Sequence, residues 1–173
     1  EVIFALMKNK ENGALYLFYD PEQKLFRTGQ NNFPDGMMCE LDKNCRNTRK
    51  ISDFCGKAIQ KDFGVFQFSP EGVFPEIIPA IQKPADRKQK IEETVSKLLA
   101  DGYFPSQIAI ISPWAPKNEK NSFKYIDKIN GFRLESGDDK IIDWIKGEVI
   151  LAKTIKSFKG LEADCLVITD IPR

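Results

Sequence analysis

The stretch Ile108-Ala-Ile-Ile111 consists of four apolar residues in a row. An apolar run of this length, with no polar alternation, predicts a strand that is buried on both faces, which is typical of a parallel sheet. The run Gly13-Ala-Leu-Tyr-Leu-Phe-Tyr19 has the same character. Further strands are predicted at Leu41, Val65-Phe-Gln-Phe68, Phe132-Arg-Leu134, Val149-Ile-Leu-Ala152 and 165–169, the last as a buried run.

Helices are predicted between these strands. Residues 86–100 have apolar side chains at helical spacing, and Asp101-Gly102 after them is typical of a helix end. Another helix is predicted after Thr48, with an apolar stripe made of Ile51, Phe54, Cys55, Ala58 and Ile59. Residues 70–84 are rich in proline and are predicted to be irregular. Strands that alternate with helices predict an α/β domain with a mostly parallel sheet flanked by helices.

The composition excludes several classes of protein. Of the 173 residues, 42% are hydrophobic, which is enough for a packed core. The chain has no histidine, so His-based nucleophilic catalysis and most zinc sites are excluded, and no metal site is predicted. The net charge is only +1, so nucleic-acid binding has to come from local contacts. The four cysteines form no Cys-x-x-Cys pair, which favours reduced thiols and a cytoplasmic location, and no apolar run is long enough to span a membrane.

Three polar segments are candidates for binding or catalysis. The first, Tyr19-Asp-Pro-Glu-Gln-Lys-Leu-Phe26, follows a predicted strand. Ligands of parallel sheets bind beyond the carboxyl ends of the strands, so Asp20 and Gln23 are placed to meet one. The alternative interpretation is a simple strand-to-loop turn, in which Asp20-Pro21 ends the strand.

The second segment is Leu41-Asp-Lys-Asn-Cys-Arg-Asn-Thr48. Arg46 and Arg49 lie near a predicted helix start, where free backbone N–H groups favour the binding of a phosphate. An arginine guanidinium can also bind a phosphate through two parallel hydrogen bonds. The alternative interpretation is that Asn44 or Asn47 caps the helix while the arginines are solvated.

The third segment is Thr154-Ile-Lys-Ser-Phe-Lys-Gly-Leu-Glu-Ala-Asp164, between two predicted strands. Thr154, Ser157 and Lys159 are candidates for holding a nucleic-acid phosphate, and Glu162 for facing a nucleotide. The alternative interpretation is a loop with solvated lysines.

Together, and in this order, the three segments resemble motifs of superfamily 1 helicases of the UvrD/Rep-like group. They are similar to the motif after the Walker B strand, the arginine motif that opens the second motor domain, and the Thr-x-x-x-x-Lys-Gly-Leu-Glu motif near its end. The third match is the most specific. The resemblance spans the chain from about Leu15 to the last strand. It implies a RecA-like fold of the P-loop NTPase type, with the end of the first motor domain and a connecting segment at 1–38 and a C-terminally truncated second RecA-like domain at 39–173.

The resemblance also implies roles for the matching residues. Gln23 and Arg46 would be the catalytic residues, since Gln23 would sense the γ-phosphate and Arg46 would contact it across the cleft. The residues that would face the nucleotide are Asp20, Gln23, Arg46, Gly160 and Glu162. The residues that would contact nucleic acid are Phe26, Thr154, Lys156, Ser157 and Lys159, with Phe26 at the place of a base-stacking aromatic.

The chain departs from the family pattern at Cys45, where an adenine-stacking aromatic is usual, and at Lys156, where histidine is usual. It contains no Gly-x-x-x-x-Gly-Lys-Ser/Thr loop. The Mg²⁺ carboxylates and the final arginine motif are expected in a longer parent protein. We therefore expect ATP and Mg²⁺ as cofactors of that parent, with neither bound nor ATP hydrolysed by the chain alone. The expected partners are single-stranded DNA or RNA and the first motor domain, with no membrane.

Two functions are compatible with these residues. The first is a part of an ATP-dependent superfamily 1 helicase or translocase that supplies γ-phosphate-sensing and nucleic-acid backbone contacts. The second is a non-catalytic helicase-like module that binds nucleic acid or a protein partner. A Walker A lysine upstream and an arginine motif downstream in the parent gene would favour the first.

Overall fold

The structure, a computed structural model, describes residues 43–62, 64–79 and 81–172. These residues belong to one compact unit, Met38–Arg173. Its helices and strands, in chain order, are α1 (Arg49–Ile59), α2 (Pro84–Ala100), β1 (Ile108–Ser112), β2 (Lys128–Ile129), β3 (Phe132–Glu135), α3 (Ile141–Ile145), β4 (Val149–Thr154) and β5 (Cys165–Ile168). Short 3₁₀ helices lie at Pro105–Gln107, Ser122–Tyr125 and Asp138–Lys140.

The strands form one mixed five-stranded sheet in the order β2-β3-β4-β1-β5. β1 pairs in parallel with β4 and with β5, and Ala109 lies opposite both Leu151 and Leu166. β3 pairs in parallel with β4, whereas β2 and β3 are antiparallel. The predicted α/β fold with a mostly parallel sheet is therefore confirmed. Four strands run in the same direction, so their carboxyl ends lie at the same edge of the sheet.

The two faces of the sheet are covered by different helices. On one face, Ile91 and Val95 of α2 pack into a core with Ile108 and Ile110 of β1. On the other face, Trp144 of α3 packs with the remaining β1 residues and with β4. Every residue of β1 is buried, as the apolar run predicted, because β1 has a strand on each side and a helix on each face.

The prediction of a helix at 86–100 is confirmed, since α2 ends at Ala100 and Gly102 follows in a left-handed conformation, with φ +97°. Of the stretch 70–84, the described part of 70–83 contains no strand and no helix, as predicted, whereas Pro84 is the first residue of α2. The hairpin of β2 and β3 was not predicted. Asn130 and Gly131 link the two strands with φ values of +50° and +88°, which is the geometry of a tight two-residue turn.

Two strand predictions need correction. The alternating stretch 65–68 forms only an isolated bridge between Val65 and Asn44. The backbone then turns, because the N–H of Ser69 bonds to the carbonyl of Phe66 at 3.0 Å. β5 was predicted as a buried strand, but it is the edge strand of the described sheet, and its residues alternate between half-buried and exposed. Leu166 is 46% and Ile168 53% exposed.

The helix predicted after Thr48 is present as α1, but its predicted apolar stripe is not a buried face. Ser52 is the buried residue of this helix, and Ile59 is 57% exposed. Phe54 has an aromatic partner, since its ring makes an edge-to-face contact with Phe74 at 5.9 Å. The apolar spacing thus predicted the helix correctly, and its apolar positions stay half-buried or exposed.

The strands predicted at 13–19 and Leu41, and the predicted domain boundary at 38/39, lie outside the described residues. In the part of the chain that the structure describes, no helix is long and apolar enough to cross a membrane.

Candidate functional site

The segment between β4 and β5, residues 155–164, crosses one face of the sheet, and we call it the crossover. It leaves the carboxyl edge at Thr154, where the N–H of Ile155 donates to the carbonyl of Ser112 at 3.1 Å. It reaches the opposite edge at Asp164, whose carboxylate accepts a hydrogen bond of 2.6 Å from Gln107, just before β1. Phe158 holds the middle, since it is buried against the sheet. The crossover therefore has two ends at opposite edges of the sheet.

Thr154 and Ser157 bond to each other at the carboxyl edge. Their hydroxyl oxygens are 2.9 Å apart, the N–H of Ser157 donates to Thr154 Oγ1 at 3.1 Å, and the N–H of Thr154 donates to Ser157 Oγ at 3.0 Å. Ser157 is exposed and Thr154 is half-buried. We call these two residues the hydroxyl pair. The pair holds two hydroxyl groups in a fixed position, as a contact with a phosphate requires.

The rest of the crossover surface carries charges of both signs, with the two lysines before Gly160 and the acids Glu162 and Asp164 after it. Lys156 and Lys159 are exposed, and each takes part in a further interaction within the protein. Gly160 has a φ of +89° and open space around it, so glycine is favoured by the backbone conformation and not by crowding. Glu162 is exposed near the other end of the crossover.

The turn before α1 is built around Asn44. Its side-chain oxygen accepts hydrogen bonds from the N–H groups of Arg46 at 3.1 Å and Asn47 at 3.2 Å. Its amide donates to Ser52 at 3.2 Å. Neither Asn44 nor Asn47 caps α1. The cap is Thr48, whose hydroxyl accepts from the N–H three residues further on at 3.4 Å. Asn44 instead fixes the backbone that carries Arg46.

The two arginines of this segment have different surroundings. Arg49 donates from Nε to the carbonyl of Ser69 at 3.2 Å and from Nη2 to that of Gln67 at 2.5 Å. Its fork therefore holds the neighbouring segment in place. Arg46, by contrast, has a side chain that is 75% exposed. Of the two, Arg46 is the more accessible to a ligand.

Arg46 forms an ion pair with Glu162. The distance from Arg46 Nε to Glu162 Oε1 is 3.0 Å, and the glutamate side chain is 68% exposed. The contact joins two segments that are far apart in the sequence. Both residues were predicted to face a nucleotide, and the structure places them side by side.

The hydroxyl pair belongs to the other end of the crossover. Thr154 and Ser157 bond to each other at the carboxyl edge, whereas Glu162 lies two residues before Asp164 at the amino edge. The structure thus brings Arg46 and Glu162 together and keeps them apart from Thr154. The predicted residues Asp20, Gln23 and Phe26 lie outside the described residues.

Two buried charged residues were missed by the sequence analysis. Lys153 of β4 is 2% exposed, and its Nζ bonds to the carbonyl of Ser136 at 2.9 Å and to Asp138 at 2.5 Å. The carboxylate of Asp170 is wholly buried beside Arg87. Their positions in the sequence could have indicated burial, because each is a single charged residue within or directly after an apolar strand run.

A thiol and a phenol lie near the amino-edge end of the crossover. Burial raises the pKa of the Cys165 thiol, and the negative charge of Asp164 raises it further, while a hydrogen bond from Tyr103 opposes both effects. The pKa of Tyr103 is also raised, chiefly by the charge that an ionised Cys165 would carry. Both groups are therefore neutral near pH 7.

An open cleft of about 260 Å³ lies elsewhere in the described residues. It is lined by α1 and the chain after it, with Asp53, Lys57, Lys61 and Asp62 among its walls. Its charges are mixed in sign, and it contains none of the predicted site residues. Among the residues that the structure describes, no group of three or more Cys, Asp or Glu side chains is arranged to hold a metal ion.

Comparisons with known protein families, with curated proteins and with solved structures give no match to this chain.

Proposed function

We propose that the chain supplies the second RecA-like motor domain of an ATP-dependent superfamily 1 helicase or translocase. The observation that carries the proposal is the 3.0 Å ion pair between Arg46 and Glu162. The two residues belong to different motifs of the resemblance, and both motifs are assigned to the nucleotide. A chance match of short motifs gives no reason for their side chains to meet.

The exposure of this pair supports binding of a soluble ligand. An arginine that served only the fold would be expected to bond to carbonyl oxygens, as Arg49 does. Arg46 stands on a turn that Asn44 fixes, and three quarters of its side chain is open to solvent. A guanidinium in such a position can bind a phosphate through two parallel hydrogen bonds.

The hydroxyl pair is proposed to contact the backbone of single-stranded nucleic acid. Hydroxyl groups are common phosphate ligands, and Thr154 and Ser157 hold two of them side by side at the carboxyl edge. Lys156 and Lys159 lie exposed on the same segment. A chain with a net charge of +1 needs local contacts of this kind to bind nucleic acid.

The crossover offers a physical link between the two binding events. Its nucleotide end carries Glu162, its nucleic-acid end carries Thr154, and Phe158 between them is packed into the core. Packed segments shift as units and do not deform continuously. A change of charge at Arg46 and Glu162 on ATP cleavage would therefore displace the hydroxyl pair as well.

The RecA-like fold is part of the same proposal. It is supported by four strands that run in parallel and by α2 and α3 on opposite faces of the sheet. ATP with Mg²⁺, and a first motor domain with the phosphate loop, complete the proposed motor.

Nucleotide binding to the parent protein, which includes the first motor domain, tests the proposal. We expect a fluorescent ATP analogue to bind the wild-type parent, and Arg46→Ala to weaken binding about tenfold, which is the value of one charge-assisted bidentate contact. Arg133→Ala is the matched control, because Arg133 is an exposed arginine with a glutamate partner, Glu135, at 3.5 Å. Equal effects of the two variants, or no ATP binding by the wild type, would contradict the proposal. Nucleic-acid binding without ATP binding would favour the non-catalytic module.

A further inference from the structure

The ion pair between Arg46 and Glu162 uses one side of the guanidinium. The carboxylate contact is made at Nε, the nitrogen next to the aliphatic stem. A guanidinium is planar and carries five N–H donors, and a carboxylate on the Nε side occupies one edge of that plane. The edge between the two terminal nitrogens is a second binding position. No other ion-pair partner of Arg46 is present in residues 43–62, 64–79 and 81–172.

The backbone of Arg46 is held, and among the described residues its side chain has Glu162 as its one ion-pair partner. The N–H of Arg46 donates to Asn44 Oδ1 at 3.1 Å, which fixes the start of the side chain. Beyond that point the stem is exposed and has several rotatable bonds. An exposed arginine loses rotamer freedom when it binds a ligand, and this loss weakens binding. A partner that already restricts the side chain reduces that cost.

We infer that Glu162 is a positioning residue for Arg46, which holds Nε so that the outer edge of the guanidinium meets the terminal phosphate of a nucleoside triphosphate. This inference rests on the proposed function. It assigns to Glu162 an action through Arg46, in addition to any contact of its own with the nucleotide.

Positioning and direct contact differ in what they do to nucleotide preference. If Glu162 acts through Arg46 on the terminal phosphate, its loss weakens ATP binding and leaves ADP binding unchanged. If Glu162 only contacts a part that both nucleotides share, its loss weakens ATP and ADP equally. The ratio of the two affinities therefore separates the two roles.

The experiment measures the affinities of Mg²⁺-ATP and Mg²⁺-ADP for the parent protein with the first motor domain, as the wild type and as Glu162→Ala, Glu162→Gln, Arg46→Ala and the Glu162→Ala/Arg46→Ala double variant. We expect Glu162→Ala to reduce the ATP-over-ADP preference about two- to fivefold, as befits an exposed ion pair. Glu162→Gln, which keeps an oxygen acceptor, should retain part of the preference. The double variant should equal Arg46→Ala, because the glutamate has nothing left to position. Glu135→Ala, which removes the partner of Arg133, is the control and should leave the preference unchanged.

A second measurement follows the pair without nucleotide. The Nε–Hε resonance of Arg46 in a nitrogen-15 spectrum should shift in Glu162→Ala and stay in place in Glu135→Ala. Equal weakening of ATP and ADP, additive losses in the double variant, or an unmoved resonance would each overturn the inference while leaving the proposed function standing. Failure of the wild type to bind either nucleotide would overturn the proposed function and the inference together.

Discussion

Arg87 Nη1 lies 3.1 Å from Asp170 Oδ1, and the side chain of Asp170 has no exposure to solvent. The same carboxylate accepts hydrogen bonds from Ser112 Oγ and from the N–H of Ser122, both at 2.9 Å, and from the Ser122 hydroxyl. These donors come from α2, from the end of β1 and from the 3₁₀ helix Ser122–Tyr125. Asp170 thus ties three elements to the chain that follows β5.

Asp170→Asn is expected to destabilise the protein by about 3 kcal/mol, because it leaves Arg87 beside a neutral partner in a buried site. Asparagine has the same size and tolerates the left-handed backbone of this position, with φ +57°, so the loss reports on charge and hydrogen bonding. Urea unfolding measures it. Glu135→Gln, in the exposed pair with Arg133, should cost less than about 1 kcal/mol. Similar small losses in both variants would show that Asp170 does not act as a buried ionised group.

Gly72→Ala is expected to destabilise the region that carries Arg46. Gly72 has a φ of +72°, and a Cβ added there would lie 2.3 Å from the Cβ and Oγ1 atoms of Thr48, the cap of α1. The left-handed conformation alone costs an alanine about 1–2 kcal/mol. The clash adds to this cost, because the loop has to move away from the start of α1.

Urea unfolding of Gly102→Ala separates the cost of the left-handed conformation from the cost of the clash. Gly102 has a φ of +97° with no atom within 4 Å of an added Cβ, so its substitution shows the conformational cost without a clash. We expect the loss at Gly72 to exceed the loss at Gly102 clearly. Equal losses would mean that Gly72 and Thr48 are not in close contact.

Thr154→Ala is expected to weaken the binding of a single-stranded oligonucleotide about tenfold, since it removes a hydroxyl that we assign to a phosphate and disrupts its bonds to Ser157. Fluorescence anisotropy at fixed salt measures the affinity. Ser96→Ala is the control, because Ser96 lies on α2, away from the crossover, and its hydroxyl bonds to Asn130 in the turn between β2 and β3. Unchanged affinity in a folded Thr154→Ala variant would remove the hydroxyl pair from the proposed interface.

The cysteines are expected to differ in reactivity. Cys45 and Cys55 are exposed, whereas burial raises the pKa of Cys165. Iodoacetamide labelling at pH 8, followed by mass spectrometry, should therefore modify Cys45 and Cys55 well before Cys165, because the thiolate is the reactive form. Rapid modification of Cys165 in the folded protein would contradict the assigned burial.

The raised pKa of Cys165 also predicts a pH dependence of stability. Below the ordinary thiol pKa, the thiol is protonated in both the folded and the unfolded chain. It therefore does not change how the free energy of unfolding depends on pH. Above it, the unfolded chain releases a proton that the folded chain retains, so the free energy of unfolding falls as pH rises toward the folded pKa. Urea unfolding between pH 7 and 10 should show a shallower fall in Cys165→Ala, and identical slopes would contradict the prediction.

The local sequence pattern correctly predicted those helices and strands whose burial follows their own apolar residues. β1 is apolar throughout and is buried throughout, and α2 follows its apolar spacing from start to end. β5 has an equally apolar sequence, yet Leu166 and Ile168 remain exposed, because β5 stands at the edge of the described sheet. Strand order is a property of long-range pairing, and no local pattern contains it.

The candidate site also has features that the sequence predicted and features that only the structure shows. Arg46, Glu162, Thr154 and Ser157 were all named from short motifs, and the structure brings them together in two separate pairs. The role of Arg49 was not foreseeable, because its two carbonyl partners lie many residues away in the chain. Side chains with the same chemistry and nearly the same sequence position thus have different uses.

The amino-acid sequence by itself determined the helix α2, the strand β1 and the identity of the residues that meet at Arg46 and Glu162. These depend on spacing, apolar runs and residue chemistry, which are local. Only the tertiary structure decided that Arg49 is engaged while Arg46 is exposed, that Asp170 is buried and that β5 lies at an edge. The physical reason is that exposure and hydrogen bonding depend on which distant segments approach a residue, and packing of the whole unit decides that approach.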